Sequence, residues 1–153
     1  MEGLDRTDAE ILRLLQRDAQ MPHAQIAEQV SLSPSAVSRR IDALKKDGTI
    51  VGQQVVLSRE QLGLPTTVFT LVTLKTHGGS EFGKFERDVE ASLPHVLECV
   101  RLCGTWDYLL RFVVRDMEHY GNLQRKLTDL PTVKLVRSHA VMGPVQMRSL
   151  PIN

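Results

Sequence analysis

The sequence predicts an α+β protein in which an N-terminal winged helix-turn-helix is followed by a ferredoxin-like βαββαβ domain. Two patterns carry this prediction: apolar residues repeat at helical spacing in the first third of the chain, and β-branched runs alternate with helical patterns afterwards. Gly63 and Pro65 interrupt both patterns and indicate a connecting segment. We therefore expect a first domain over residues 1–57, a linker over 58–66 and a second domain over 67–153.

Three helices are predicted in the first domain, and each has a start or stop signal. Asp5 offers a side-chain oxygen that can cap the first helix. Pro22 suits the start of the second helix, and Ser33 followed by Pro34 suits the start of the third. Gly48 can end the third helix because glycine readily adopts the left-handed conformation.

The residues that follow the third helix, Thr49 to Leu57, are rich in β-branched side chains and contain Gly52. This pattern predicts a small hairpin, or wing. A hairpin at this position favours a winged DNA-binding module over an ordinary three-helix bundle.

Four strands and two helices are predicted in the second domain. Runs of Val, Leu, Thr and Phe indicate strands over 67–76, 96–103, 108–114 and 133–142. Ser80 and Asp116 are N-cap candidates for the two helices. The inward faces of these helices are expected to carry Phe82, Phe85 and Val89 in one, and Met117, Tyr120, Leu123, Leu127 and Leu130 in the other.

Composition excludes several classes of protein. Hydrophobic residues make up 42% of the chain, and no apolar run approaches the roughly 20 residues that cross a bilayer. The N-terminus lacks a signal-peptide pattern, so we expect a cytoplasmic protein without membrane contact. Cys99 and Cys103 have neither a disulfide framework nor zinc-site spacing, and we expect both to be buried as small apolar side chains.

The third predicted helix is amphipathic, and its outward side carries basic side chains together with one acidic residue, Asp42. Val37, Ile41 and Leu44 fall on one face of a helical wheel, while Arg39 and Lys46 lie opposite. Hydroxyl, guanidinium and ammonium groups can donate to phosphates and purine edges, but an ordinary solvated face has the same pattern. The candidate DNA-binding residues are Ser33, Ser35, Ser38, Arg39, Arg40, Lys45 and Lys46.

Four groups of residues carry a resemblance to a known family. They read LDxxDxxIL from Leu4 with IA at Ile26, LSPSAVSRRIxxL from Leu32 with GxI at Gly48, GxxDYLL from Gly104, and LPxV from Leu130. In this order they resemble the Lrp/AsnC family, and the resemblance covers essentially the whole chain. It implies a DNA-binding helix-turn-helix followed by an α/β module that dimerises, assembles further and binds amino acids.

The sequence departs from the family pattern at three positions. Ala19-Gln20 replaces a frequent Gly-Arg, Pro22 replaces a frequent Ser, and Ser31 replaces the usual Gly of the helix-turn-helix turn. If Ser31 needs a positive φ, its side chain introduces a modest strain. These departures bear on DNA affinity more than on the fold.

The turn from Gly104 to Asp107 is the candidate effector site. A glycine-containing turn can expose backbone N–H groups to a carboxylate, and Asp107 can receive an ammonium group, although Gly and Asp are also ordinary turn residues. The resemblance implies that the effector lies at this turn between subunits, facing residues 138–142. The candidate effector-binding residues are Leu102, Gly104, Thr105, Trp106, Asp107, Ser138, His139 and Val141.

The sequence therefore predicts a sequence-specific transcriptional regulator that responds to a small molecule, an amino acid by the family resemblance. Its expected partners are double-stranded DNA, the effector and further copies of itself. An architectural DNA-binding protein with little sequence preference, or an amino-acid-binding module that acts on a protein partner, are the alternatives. With no nucleophile elbow, phosphate loop or metal-ligand cluster in the sequence, we expect no catalytic residues, no cofactor and no metal.

Overall fold

The structure is a computed structural model, and it describes residues 4–143 and 150–152. The chain divides into two compact units. Of the described residues, the first unit contains 4–56 and 150–152, and the second contains 57–143. The sequence-based boundaries assigned residues 67–153 to the second domain, whereas the structure places Leu150–Ile152 in the first unit.

The first unit contains three helices, α1 (Arg6–Arg17), α2 (His23–Val30) and α3 (Pro34–Lys46). The predicted N-caps are present: Asp5 accepts from the N–H of Asp8 at 2.7 Å, and Ser33 accepts from the N–H of Ala36 at 3.2 Å. Gly48 follows α3 with φ +81°, which is the left-handed conformation that we expected glycine to adopt at the end of this helix. One apolar core joins the three helices and consists of Ile11, Leu14, Ile26, Ala27, Val37 and Ile41.

The wing is the main difference from the predicted first unit. Residues 51–58 form neither strand nor helix. Val51 and Val56 are each 96% exposed. A hairpin needs cross-strand pairs on a packed face, and β-branched composition does not supply a packing surface by itself. The prediction of a small hairpin was therefore wrong.

The second unit has the predicted βαββαβ order. Its elements are β1 (Thr66–Leu74), α4 (Gly79–Ser92), β2 (Val96–Arg101), β3 (Tyr108–Val114), α5 (Met117–Thr128) and β4 (Val133–Ala140). The strands form one antiparallel sheet in the order β2-β3-β1-β4. Asp116 caps α5 as predicted, accepting from the N–H of His119, but Ser80 does not cap α4, whose N-cap is Gly78.

Both helices of the second unit pack on one face of the sheet. Val68 and Val72 of β1 join Phe85 of α4 and Leu127 of α5 in the core. Met117 was predicted to face inward and is 52% exposed, because it begins α5 at the rim of this core. The other face of the sheet carries partly exposed apolar side chains from every strand, namely Phe69, Leu71, Val100, Leu109, Val113 and Leu135.

Both cysteines are exposed, and the prediction that they are buried was wrong. Cys99 lies on β2, which is an edge strand with a neighbour on one side only. Cys103 lies in the turn that follows β2. Strand composition alone does not distinguish an edge strand from a central one. Within the described residues, no helix is long and apolar enough to cross a bilayer.

Candidate DNA-binding helix and effector turn

Helix α3 has a buried face and a polar face, as its sequence predicts. Val37, Ile41 and Leu44 are buried, and the side chains on the opposite face meet solvent. Of the candidate DNA-binding residues, Ser33, Ser35, Arg39, Lys45 and Lys46 are exposed and Ser38 is half-buried. The hydroxyls of Ser33 and Ser35 lie 3.0 Å apart at the start of the helix. This end can offer hydroxyl donors, and the basic groups follow along the helix.

Arg40 differs from the other candidates because it is turned towards α1. One nitrogen of its guanidinium, Nη1, lies 2.6 Å from Asp5 and 2.8 Å from Asp8. The backbone N–H of Asp8 and the Arg40 guanidinium hold the pKa of the Asp5 carboxyl below its usual value. Two carboxylates neutralise Arg40, so the geometry supports a role in holding α1 against α3 and argues against direct contact with DNA.

Ser31, in the turn between α2 and α3, has φ +55° and ψ +44°. It is the only residue other than glycine with a positive φ in the described part of the chain. This conformation costs an L-residue about 1–2 kcal/mol relative to right-handed backbone. The family pattern has glycine here, and the structure shows the backbone reason for it.

The candidate effector turn joins β2 to β3. Its ends are fixed by backbone hydrogen bonds from Leu102 to Asp107 at 2.8 Å and from Asp107 to Val72 at 2.9 Å. Gly104 has φ +130°, which favours glycine, and a Cβ at this position would meet open space. Among the described residues, the N–H groups of Gly104, Thr105 and Trp106 have no backbone partner. The turn therefore presents free donors of the kind that bind a carboxylate.

Asp107 is buried at the base of this turn. Its Oδ2 accepts from the backbone N–H of Leu74 at 2.7 Å, and its Oδ1 lies 3.2 Å from Nε2 of His77. An ammonium group at Asp107 would have to share this carboxylate with the N–H of Leu74 and lie beside the His77 ring. The contacts therefore favour a role for Asp107 in holding the turn onto the end of β1 over the ammonium contact expected from the sequence.

Arg137 of β4 lies next to Trp106, which belongs to the turn. The guanidinium carbon of Arg137 lies 5.6 Å from the centre of the Trp106 ring, within the range of a cation–π contact. Arg137 lies on β4 opposite Leu71. The sequence singled out Trp106 but not Arg137, because nothing in the local pattern of β4 shows that this strand passes the turn.

Strand β4 leads away from the turn over residues 138–141. Ser138 pairs with Thr70, and the N–H of Val141 bonds to Thr67, whereas the turn adjoins Leu74 at the other end of β1. Leu74 is seven positions after Thr67, a rise of about 23 Å at 3.3 Å per residue. Val141 therefore lies far from the turn in the same chain, whereas Ser138 follows Arg137, which contacts Trp106 of the turn.

The candidates on β4 also face different sides of the sheet. Ser138 is half-buried on the helix side, where it contacts the hydroxyl of Tyr120 and accepts from the Gln124 amide at 3.3 Å. His139 is exposed on the opposite side, because neighbouring strand residues alternate. Only one of the two can therefore face any one ligand from a given side.

A cluster next to the turn was not found from the sequence. The hydroxyl of Tyr108 donates to Glu86 at 2.7 Å, and Arg101 donates to the same carboxylate at 2.6 Å. Burial and the Glu86 carboxylate raise the pKa of Tyr108 to about 12. The signal available in the sequence was the motif GxxDYLL itself, whose Asp107 bonds to the end of β1 and whose Tyr108 bonds to Glu86 of α4.

Comparison with known proteins agrees with this architecture. The AsnC-type helix-turn-helix domain matches residues 4–45, and the Lrp/AsnC ligand binding domain matches residues 67–151. The HTH-type transcriptional regulator Zrp of Zymomonas mobilis is 40% identical over 124 residues, which are 81% of this chain and 80% of the relative.

Two solved structures share the fold over nearly the whole chain. A transcriptional regulator from Neisseria meningitidis in complex with L-methionine has a TM-score of 0.91 at 30% identity, covering 98% of this chain and 97% of that one. An AsnC family regulator from Agrobacterium tumefaciens has a TM-score of 0.88 at 31% identity, covering 97% of each chain.

Proposed function

The chain belongs to the Lrp/AsnC family of transcriptional regulators, and from this premise we propose that it binds specific DNA sites as a homodimer or larger assembly under the control of an α-amino acid. The observation that carries the proposal is the difference between the exposed basic residues of α3 and Arg40. Arg39, Lys45 and Lys46 face solvent with their charges available, while Arg40 is held by Asp5 and Asp8.

DNA recognition in this proposal depends on geometry more than on net charge. The chain has 19 basic and 18 acidic residues, so a bulk electrostatic field does not draw it to DNA. Arg39 is the residue best placed to read a base, because it is exposed and lies away from the buried face of the helix. Ser35, Lys45 and Lys46 supply contacts to the phosphate backbone.

Assembly follows from the uncovered face of the sheet. Phe69, Leu71 and Leu109 lie on the face that neither α4 nor α5 covers. Charged side chains, Arg111 and Arg137, lie beside them on the same face. We expect a second copy of this face to cover these apolar side chains, because identical surfaces pair in a two-fold dimer. Two paired helix-turn-helices then meet DNA at half-sites related by an approximate two-fold axis.

The effector is proposed to be an α-amino acid bound at the turn from Gly104 to Asp107. The free N–H groups of Gly104, Thr105 and Trp106 suit its carboxylate. Residues 138–141 of another protomer close the site. The methionine bound to the Neisseria meningitidis regulator supports an apolar or medium-sized amino acid.

The decisive experiment measures binding of the purified protein to DNA from upstream of its own gene and to unrelated DNA at several salt concentrations. A specific regulator binds the upstream DNA more tightly by about 10³-fold or more, and the preference persists as salt rises. Equal binding to both DNAs would instead identify an architectural protein. Titration of the twenty amino acids into the complex then identifies the effector by a change in DNA affinity.

A further inference from the structure

The C-terminal residues Leu150–Ile152 lie against α1 in the first unit. Nη2 of Arg13 donates to the carbonyl oxygen of Ile152 at 3.0 Å, and the side-chain amide of Gln16 donates to the carbonyl oxygen of Leu150 at 3.3 Å. Nη1 of Arg13 also pairs with Glu10 at 3.0 Å, which orients its guanidinium. Two side chains one turn apart on α1 therefore hold two carbonyl groups of the same short segment.

The segment borders an apolar groove beside α1. The groove has a volume of about 560 Å³ and lies between α1, which contributes Leu12 and Leu15, and the residues after α3, which contribute Ile50 and Val51. Leu150, Pro151 and Ile152 complete its lining. Ile152 is half-buried, whereas Leu150 is 79% exposed, so Ile152 is the apolar anchor of the segment.

The sequence of the segment suits docking at low entropic cost. Proline fixes the backbone of Pro151 before docking, so less conformational freedom is lost when its neighbours become ordered. Arg13 and Gln16 bind main-chain carbonyl groups, so they hold the path of the chain, while Ile152 supplies the apolar contact.

The segment that contacts α1 follows strand β4 of the second unit in the chain. Strand β4 ends at Ala140 in the second unit, and Leu150 belongs to the first unit. The polypeptide therefore connects the two units twice, once through the residues before β1 and again through the residues after β4. The second connection starts from β4, the strand that we propose contributes to the effector site.

We propose that Leu150–Ile152 acts as a clasp for the DNA-binding unit, docking against α1 and conveying changes at β4 to the helix-turn-helix. The docking stands on the contacts of Arg13, Gln16 and Ile152 and is independent of the function proposed above. Conveying an effector signal rests in addition on the function proposed above.

Docking is tested by hydrogen exchange of the full-length protein without DNA or amino acid. Three variants disturb the clasp: deletion of residues 150–153, Ile152→Asp and Arg13→Ala. Arg17→Ala is the matched control, because Arg17 is an exposed arginine one turn further along α1. The clasp variants are expected to lose amide protection in the second half of α1 and around Ile50, with the circular dichroism spectrum retained. Unchanged protection in all three variants would overturn the docking.

Signalling is tested with the same variants by titrating the effector found for the wild-type protein. The clasp variants are expected to bind the amino acid with unchanged affinity and to lose its effect on DNA binding. An intact effector response in proteins that have lost α1 protection would overturn the signalling role. A wild-type protein that binds no DNA would contradict the proposed function alone, because the exchange measurement uses no DNA.

Discussion

Arg40 on α3 donates to Asp8 on α1 at 2.8 Å, and this contact joins the candidate recognition helix to the first helix of the chain. Asp5 lies 2.6 Å from the same nitrogen and also caps α1. One guanidinium thus pairs with the carboxylates of both the N-cap residue and a first-turn residue of α1. The neighbouring Arg39 is exposed, so two consecutive arginines have different roles.

The two arginines are predicted to respond differently to truncation. Arg39→Ala should weaken binding to the specific DNA site by about 1–3 kcal/mol if Arg39 reads a base. Arg40→Ala should lower the free energy of unfolding by about 1 kcal/mol, because partly exposed ion pairs contribute little more than this. Denaturant titration and DNA binding at several salt concentrations measure the two effects.

The salt dependence separates the two roles. If Arg40 contacts only Asp5 and Asp8, Arg40→Ala leaves the slope of log K against log salt unchanged. A slope smaller by about one unit would show that Arg40 neutralises a phosphate, contrary to our interpretation. Asp8→Asn serves as a companion variant, since it weakens the same ion pair without removing a basic residue.

Ser31→Gly is predicted to stabilise the protein by roughly 0.5–1 kcal/mol. Glycine removes the cost of about 1–2 kcal/mol that a side chain incurs at φ +55°, and about 0.4–1 kcal/mol of this gain is offset by the greater freedom of the unfolded chain. The midpoint of urea unfolding reports the change. Ser35→Gly, in the first turn of α3, is the control and should destabilise the protein; the same sign for both variants would contradict the strain argument.

Leu71→Lys is predicted to prevent assembly of the second units. Leu71 lies near the middle of the uncovered sheet face, where a buried ammonium group has no carboxylate partner on β1. Analytical ultracentrifugation at micromolar concentration should show a dimer or larger species for the wild type and a shift to monomer for the variant. Glu118→Lys, exposed on α5 on the helix side of the sheet, is the control. Equal assembly of both variants would exclude this face as the interface.

Stability in alkali is predicted to depend on Tyr108. Its pKa in the folded protein is raised to about 12 from an ordinary value of 10.0, because burial and Glu86 disfavour the charged phenolate. The stabilisation from Tyr108 is therefore complete below about pH 10 and is lost as pH rises through 12. Urea unfolding of the wild type and Tyr108→Phe at pH 9 and pH 11 measures this contribution. The loss between the two pH values should be smaller in the variant, and an equal loss would assign it to other groups.

Local signals in the sequence predicted most of the fold. Asp5, Ser33 and Asp116 cap helices through bonds to residues three positions ahead, so a short stretch of sequence contains the whole interaction. The left-handed conformation of Gly48 is also a local feature, because it depends on the residue itself. The βαββαβ order followed from hydrophobic periodicity, which depends on which faces are buried.

The features that the sequence did not predict depend on partners far along the chain. Arg40 meets Asp5 across 35 residues, and Asp107 meets Leu74 across 33. The exposure of Cys99 depends on the position of β2 at the sheet edge, which is a property of strand order. For the same reason the role of Asp107 changes from the expected ammonium contact to a proposed support of the turn.

Asp107 provides the test of the effector site, because two substitutions separate support of the turn from contact with the ligand. In Asp107→Asn the side-chain carbonyl oxygen can still accept from the N–H of Leu74, but the negative charge is gone. In Asp107→Ala the N–H of Leu74 is left without its partner in a buried position, at a cost of about 1–3 kcal/mol in the free energy of unfolding.

If Asp107 supports the turn, Asp107→Asn retains amino-acid binding and Asp107→Ala loses it together with stability. If Asp107 binds the ammonium group, Asp107→Asn loses binding while its stability stays near that of the wild type. Calorimetric titration of the effector and urea unfolding of both variants distinguish these outcomes. We expect the first, because the Asp107 carboxylate already meets Leu74 and His77, and the free N–H groups from Gly104 to Trp106 remain the ligand-binding part of the turn.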